Sequence, residues 1–160
     1  SNTDRSRYYV GELNGKSSKQ AYMDALHISE SNIINQTFHN PLGKMNGQDI
    51  CIISLKEVSG NGLCCYRQVN DSDVLVLLEE QDYNEILDET LQRIRRDFNH
   101  ISGVFSINCV FRYLLFSQEH HMEDYLKTMS TLGDHAGLIG FGEHYNQQFV
   151  NQTMTCVVFE

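Results

Sequence analysis

Two stretches of the chain gather residue types suited to holding a small charged molecule. Along the first, Val104 to Arg112, strand alternation places Phe105, Ile107, Cys109 and Phe111 on one face and Ser106, Asn108, Val110 and Arg112 on the other. Arg112 can grip a carboxylate through a fork of two hydrogen bonds, with Asn108 beside it. In the second, "GFGEHYNQQFVNQT", Gly140 and Gly142 bend the backbone and leave room above the strand ends, and Glu143 follows in the turn. Asn151 and Gln152 then open the closing strand, and Gln152 falls among apolar Val150, Met154, Cys156 and Val158, where an amide must be hydrogen-bonded. Arg112 for a carboxylate and Glu143 for an ammonium would together hold a zwitterion. A plainer role stands beside each: an internal Arg112–Glu143 ion pair that fixes the last hairpin, Glu143 accepting local backbone N–H groups, Gln152 bonded to a neighbouring loop.

Other chemistry finds less support. Cys109 falls on the core face, whereas a reactive thiolate wants an exposed, electropositive setting. The five cysteines, Cys51, Cys64, Cys65, Cys109 and Cys156, are odd in number, follow no zinc or disulfide spacing and sit in apolar runs. Free thiols in a reducing cytoplasm are the simplest reading. His120 and His121 lie near Glu123, but adjacent helical residues point about 100° apart and do not share one ion comfortably. A solvated helix face accounts for them, and no metal is expected. His39 and His144 could face a haem, with no motif in support. No phosphate-binding glycine loop and no Ser-His-Asp arrangement is readable, so no cofactor is expected.

A net charge of -9 argues against nucleic acid, whose binding needs clustered Lys and Arg, and against direct contact with anionic membrane. The longest clear apolar run, "VLVLL", is far too short to span a bilayer. No signal peptide is visible, and a cytoplasmic setting is expected. The leading Ser-Asn, without methionine, resembles the scar of a protease and suggests a domain excised from a longer protein.

The elements that must position these residues can be read from periodicity. At 160 residues, 41% hydrophobic and 21% charged, the chain is expected to form one domain over residues 1–160. "YYVGEL" suggests a first strand. Ser17 with Gln20 forms a capping box ahead of Ala21, Tyr22, Ala25 and Leu26, and a second short helix spans Ser29 to His39, ending before Asn40-Pro41. "DICIISLKEV", "GLCCYRQV" and "DVLVLL" read as three strands joined by tight turns, hence as an antiparallel meander. Asp82 caps a helix reaching Asn99, with Ile86, Leu87, Leu91, Ile94 and Phe98 on its apolar face. A strand to Phe111, a helix from Ser117 bearing Met122, Tyr125, Leu126 and Met129, and two closing strands complete the order β-α-(α)-β-β-β-α-β-α-β-β. Helices interrupting a meander predict an α+β fold with a mixed, mostly antiparallel sheet.

"HNPLG", "VLVLLEEQDY", "INCVFRYLLF" and "GLIGFGEHYNQQFVNQTMTCVVF" together resemble the C-terminal half of a FIST domain. The ending is similar to that family's Gly-Phe-x-Gly-Glu turn followed by Phe/Leu-x-Asn-Gln-Thr, matched by Gly140, Phe141, Gly142, Glu143, Phe149, Asn151, Gln152 and Thr153. A small-residue-Cys-x-x-Arg segment is matched by Asn108, Cys109 and Arg112. Many members keep a further residue between the positions of Phe141 and Gly142, so this turn is one residue shorter.

The resemblance implies a sensory role. FIST domains sit at the input end of bacterial signalling proteins such as chemotaxis receptors and kinases, and they are thought to bind small ligands, amino acids being the usual proposal. Some members bind haem. The partners so implied are a small-molecule ligand, the N-terminal FIST half, a downstream signalling domain and, for a self-associating half, a homodimer. Two alternatives remain beside a ligand-binding sensor: a small enzyme using Cys109 or Glu143, and a non-binding structural half-domain that mediates dimerisation.

Overall fold

A computed structural model describes the chain except residues 1, 2, 5, 7, 48, 146 and 147 and the side chains of 145 and 148. It forms two compact units, Ser1–Glu80 and Gln81–Glu160. Among the described residues no helix is long and apolar enough to cross a membrane.

In the first unit, β1 (Thr3–Asp4), β2 (Tyr9–Val10), the hairpin of β3 (Glu12–Leu13) and β4 (Lys16–Ser17), and α1 (Ser18–Leu26) follow one another. The Ser17 side chain caps α1 by accepting the N–H of Gln20, as the capping box predicts. A 3₁₀ turn at Glu30–Asn32 leads into α2 (Ile33–Gln36). Then come β5 (Leu42–Asn46), β6 (Asp49–Ile53), β7 (Leu55–Ser59), β8 (Gly62–Cys65) and β9 (Leu75–Leu77). They make two antiparallel sheets, ordered β1-β2-β8-β7 and β6-β5-β9. Val10, Tyr22, Ile33, Leu42, Ile53, Leu55, Leu63, Cys65 and Val69 form the core.

The expected three-strand meander is corrected here. Its first run breaks at Ser54 into β6 and β7, which belong to different sheets. The apolar pattern runs through Ser54 unbroken, so nothing local marks the break. The cause is tertiary: Thr37 Oγ1, at the end of α2, accepts the Leu55 N–H at 2.8 Å in the buried interior. The hairpin β7–β8 forms as expected, but β9 pairs with β5 instead of β8. Pro41 has no N–H to give this ladder, and Asn40 Nδ2 takes its place by donating to the Leu78 carbonyl at 3.0 Å.

The second unit contains α3 (Tyr83–Asp97), β10 (Gly103–Cys109), α4 (Val110–Gln118), α5 (Met122–Met129), β11 (Asp134–Gly140), the hairpin of β12 (Glu143–Tyr145) and β13 (Gln148–Val150), and β14 (Met154–Phe159). Asp82 caps α3 by accepting the N–H groups of Asn84 and Glu85. The central β10 pairs in parallel with β11 and antiparallel with β14, a mixed sheet. The fold is α+β, as the interrupted meander predicts.

Four expectations change; one is the helix from Ser117, since Ser117 lies in α4, which ends at Gln118, and Met122 to Met129 form the separate α5. The strand ends at Cys109, whose N–H donates to the Thr153 carbonyl, and Val110 to Arg112 begin a helix instead of continuing the strand. Over Val104 to Ser106 the faces of β10 are reversed, with Val104 and Ser106 buried and Phe105 36% exposed; Ile107 and Asn108 are half-buried, and Cys109 is buried as expected. The buried face is the one whose Asn108 meets a tyrosine of α5, so polar side chains sit inside because they have partners there. On α3, Leu87, Leu91 and Ile94 are buried, but Ile86 is 43% exposed.

Candidate functional site

The turn from β10 into α4 fixes Asn108 and Arg112. Asn108 is the last side chain but one on the strand, and Arg112 lies in the first turn of the helix, four residues later. That offset lets Arg112 Nε donate to Asn108 Oδ1 at 3.2 Å. Asn108 Nδ2 in turn donates to the Tyr125 hydroxyl at 2.7 Å. The guanidinium carbon lies 4.8 Å from the Phe116 ring centre and 5.9 Å from that of Tyr125. Arg112 is thus held by one hydrogen bond and two aromatic faces. Burial lowers its pKa, opposed by the fields of Tyr125, Glu143 and Cys109.

Beyond Asn108 the polar chain continues. Tyr125 OH and Ser106 Oγ stand 3.5 Å apart, and Ser106 Oγ is 2.9 Å from His135 Nε2 on β11. Gly137 makes room for it, since a Cβ there would meet Ser106 Oγ at 2.6 Å. Burial also lowers the His135 pKa.

Glu143, first residue of β12, is only 3% exposed. Its Oε2 accepts the Thr153 hydroxyl at 2.6 Å, while Oε1 is buried with no hydrogen-bond partner among the described residues. Burial raises its pKa, and Thr153 and Arg112 pull it down less strongly. Arg112 and Glu143 feel each other's charge, but their contacts go to Asn108 and Thr153, and the ion pair expected as the plainer role is not formed.

Gly142 adopts φ +144°, and a Cβ there would stand 2.1 Å from the Phe149 ring and 3.1 Å from Asn151 Oδ1. Only glycine fits, so this turn is packed tight by Phe149 and the buried Asn151. Gly140 is less constrained; a Cβ would find ordinary contacts at 3.4 Å. Gln152 has a left-handed φ of 55° and lies just before β14, not among its apolar residues.

Arg112, Gln152 and Thr153 line one hollow of about 280 Å³, with Ile86, Leu87 and Thr90 of α3 and Met154 closing it. Of the sequence candidates, Arg112 and Gln152 therefore meet at an open surface. Asn108 stands behind Arg112, Glu143 behind Thr153, and Gly142 and Asn151 shape the turn. Sequence reasoning missed Tyr125 and Phe116 as supports for Arg112, because a helical apolar face gives no sign that one of its members also holds a polar group. Ile86 and Thr90 were equally unmarked.

The family model for the FIST C domain matches residues 19–146 of this chain. The chain belongs to the FIST C domain family. FIST C is a sensory-type domain family associated with signal transduction. The match includes Asn108, Cys109, Arg112, Gly140, Gly142 and Glu143 and stops before Asn151 to Thr153. No curated protein and no solved structure matches the chain. Cys109, one alternative as nucleophile, is 1% exposed in this FIST C domain.

Proposed function

We propose that this FIST C domain is the small-ligand-binding part of a cytoplasmic bacterial sensory protein, and that the hollow beside Arg112 receives the ligand. The observation that carries the reading is the state of Arg112. Its Nε is engaged and its plane is stacked, yet among the described residues its terminal amino groups make no hydrogen bond. A guanidinium held in place with donors unused, at the wall of a hollow, suits an incoming carboxylate. Gln152 and Thr153 also line the hollow and add polar groups. Glu143, one hydrogen bond behind Thr153, offers Oε1, which has no partner among the described residues, to a donor that displaces the threonine hydroxyl or reaches past it. A carboxylate with an ammonium a few bonds away, as in an amino acid, matches both charges.

Ligand uptake would then be relayed to an output domain such as a chemotaxis or kinase module, with an N-terminal FIST half and self-association as further partners. The burial of Cys109 supports binding over thiol chemistry. The test is calorimetric titration of the full chain with a panel of amino acids, repeated on Arg112→Ala and Glu143→Gln. A ligand should appear whose affinity falls about tenfold or more in Arg112→Ala, the size of one charge-assisted hydrogen bond. If both variants are folded and bind as the parent does, the hollow is not the site.

A further inference from the structure

A second groove, wholly within the first unit, is left unused by this reading. It measures about 820 Å³ and is walled by the β3–β4 hairpin, by Ala21, Asp24 and Ala25 of α1, and by Val74 to Leu77. Successive side chains on a strand point to opposite faces. Four consecutive residues can all line one groove only if it runs along the strand's edge.

That edge is open. Among the described residues β9 pairs with β5 alone, in a sheet ordered β6-β5-β9. Leu78 N–H donates to the Pro41 carbonyl and Met45 N–H to the Val74 carbonyl, so Val74, Val76 and Leu78 occupy the hydrogen-bonded positions facing β5. Antiparallel alternation then turns the N–H and C=O groups of Leu75 and Leu77 away from β5, toward the groove. Val74 is 63% exposed and Leu77 40%. An unpaired strand edge beside apolar side chains is a template for another strand.

We propose that the open edge of β9 takes up an extended peptide of basic, alternating apolar sequence as a further strand. Its main chain pairs with Leu75 and Leu77. Its apolar side chains lie against Ala21 and Ala25, whose small size and four-residue spacing leave room on one helix face. The basic character follows from charge. The lining holds Asp24, Asp71 and Asp73; Lys16 lies 3.9 Å from Asp24 and Lys44 2.7 Å from Asp73, so three carboxylates face two ammonium groups and the balance is one negative charge. The same acidity, in a chain of net charge -9, opposes a second copy at this edge.

The experiment titrates the isotope-labelled full chain with a lysine-flanked Val-Thr-Val-Thr-Val peptide and follows amide shifts. Saturable shifts should centre on Val74 to Leu77 and the Ala21–Ala25 face, weaken with salt, and fade when glutamate replaces the flanking lysines. Leu77→Pro removes an outward N–H without touching the β5 ladder and should lower affinity about tenfold. If that variant does not fold, the peptide N-methylated at alternate residues should show the same loss on the parent protein. The proposal is overturned by absence of saturable shifts, by equal binding of the glutamate-flanked peptide, by parent-like binding of folded Leu77→Pro, or by a concentration-dependent dimer of the chain that uses this edge.

Discussion

Thr153 Oγ1 donates to Glu143 Oε2 at 2.6 Å, the contact that ties the start of β12 to the approach of β14; the other carboxylate oxygen is buried and has no partner among the described residues. Burial holds the folded-state pKa of Glu143 above its ordinary value of 4.5. The folded protein therefore keeps this proton longer than the unfolded chain, and stability from this group falls as pH rises from the ordinary carboxylate range through the raised pKa. Glu143→Gln should remove that loss. Urea denaturation of parent and variant at pH 4 and pH 7 checks it: the variant should gain stability relative to the parent as pH rises, and a constant difference would contradict the argument.

His135 has the opposite sign. Burial depresses its pKa below 6.5 in the fold, where Ser106 Oγ contacts its Nε2. The unfolded chain binds the proton first, so stability present above pH 6.5 is lost as pH falls through the depressed folded value. Proton resonances of the ring should titrate below the normal histidine range, and His135→Gln should flatten the acid limb of stability between pH 7 and pH 5.

Gly142→Ala should be costly. The positive φ and the Phe149 ring, 2.1 Å from the new Cβ, act together, and the backbone strain alone is worth about 1–3 kcal/mol. Chemical denaturation should show at least that loss, and adding Phe149→Ala should recover part of it by clearing the clash while leaving the strain.

Thr37→Val tests the break between β6 and β7. The Leu55 N–H would lose its buried acceptor, at a cost of about 1–3 kcal/mol. Equilibrium unfolding of the isosteric variant measures this, and an unchanged midpoint would mean that the hydroxyl does not hold the break.

Thiol alkylation should divide the cysteines. Cys51 and Cys156 are half-buried and should react first, whereas Cys64, Cys65 and Cys109 are buried. Burial, with the neighbouring Cys64 thiol, pushes the Cys65 thiol up to about 12. Mass mapping of the native protein after brief alkylation should find these three unmodified, and rapid labelling of Cys109 would revive thiol chemistry.

Sequence by itself determined whatever depends on neighbours along the chain. Ser17 with Gln20 and Asp82 with Glu85 specify two helix starts because a cap and the N–H groups that donate to it lie within one turn. The α+β class follows from alternating periods, and Arg112 and Glu143 stood out because charge beside apolar strands and glycines is unusual. Tertiary structure decided what depends on partners far away in sequence. The pattern across Ser54 is continuous, and only Thr37 from α2 divides it into strands of two sheets. Val110 to Phe116 is rich in residues that favour strands, yet it is helical once the ladder ends at the Thr153 carbonyl. Which face of β10 is buried was equally non-local: Ser106 and Asn108 turn inward because Tyr125 and His135 satisfy them there, and a hydrogen bond made across 17 or 29 residues leaves no trace in the period of a strand.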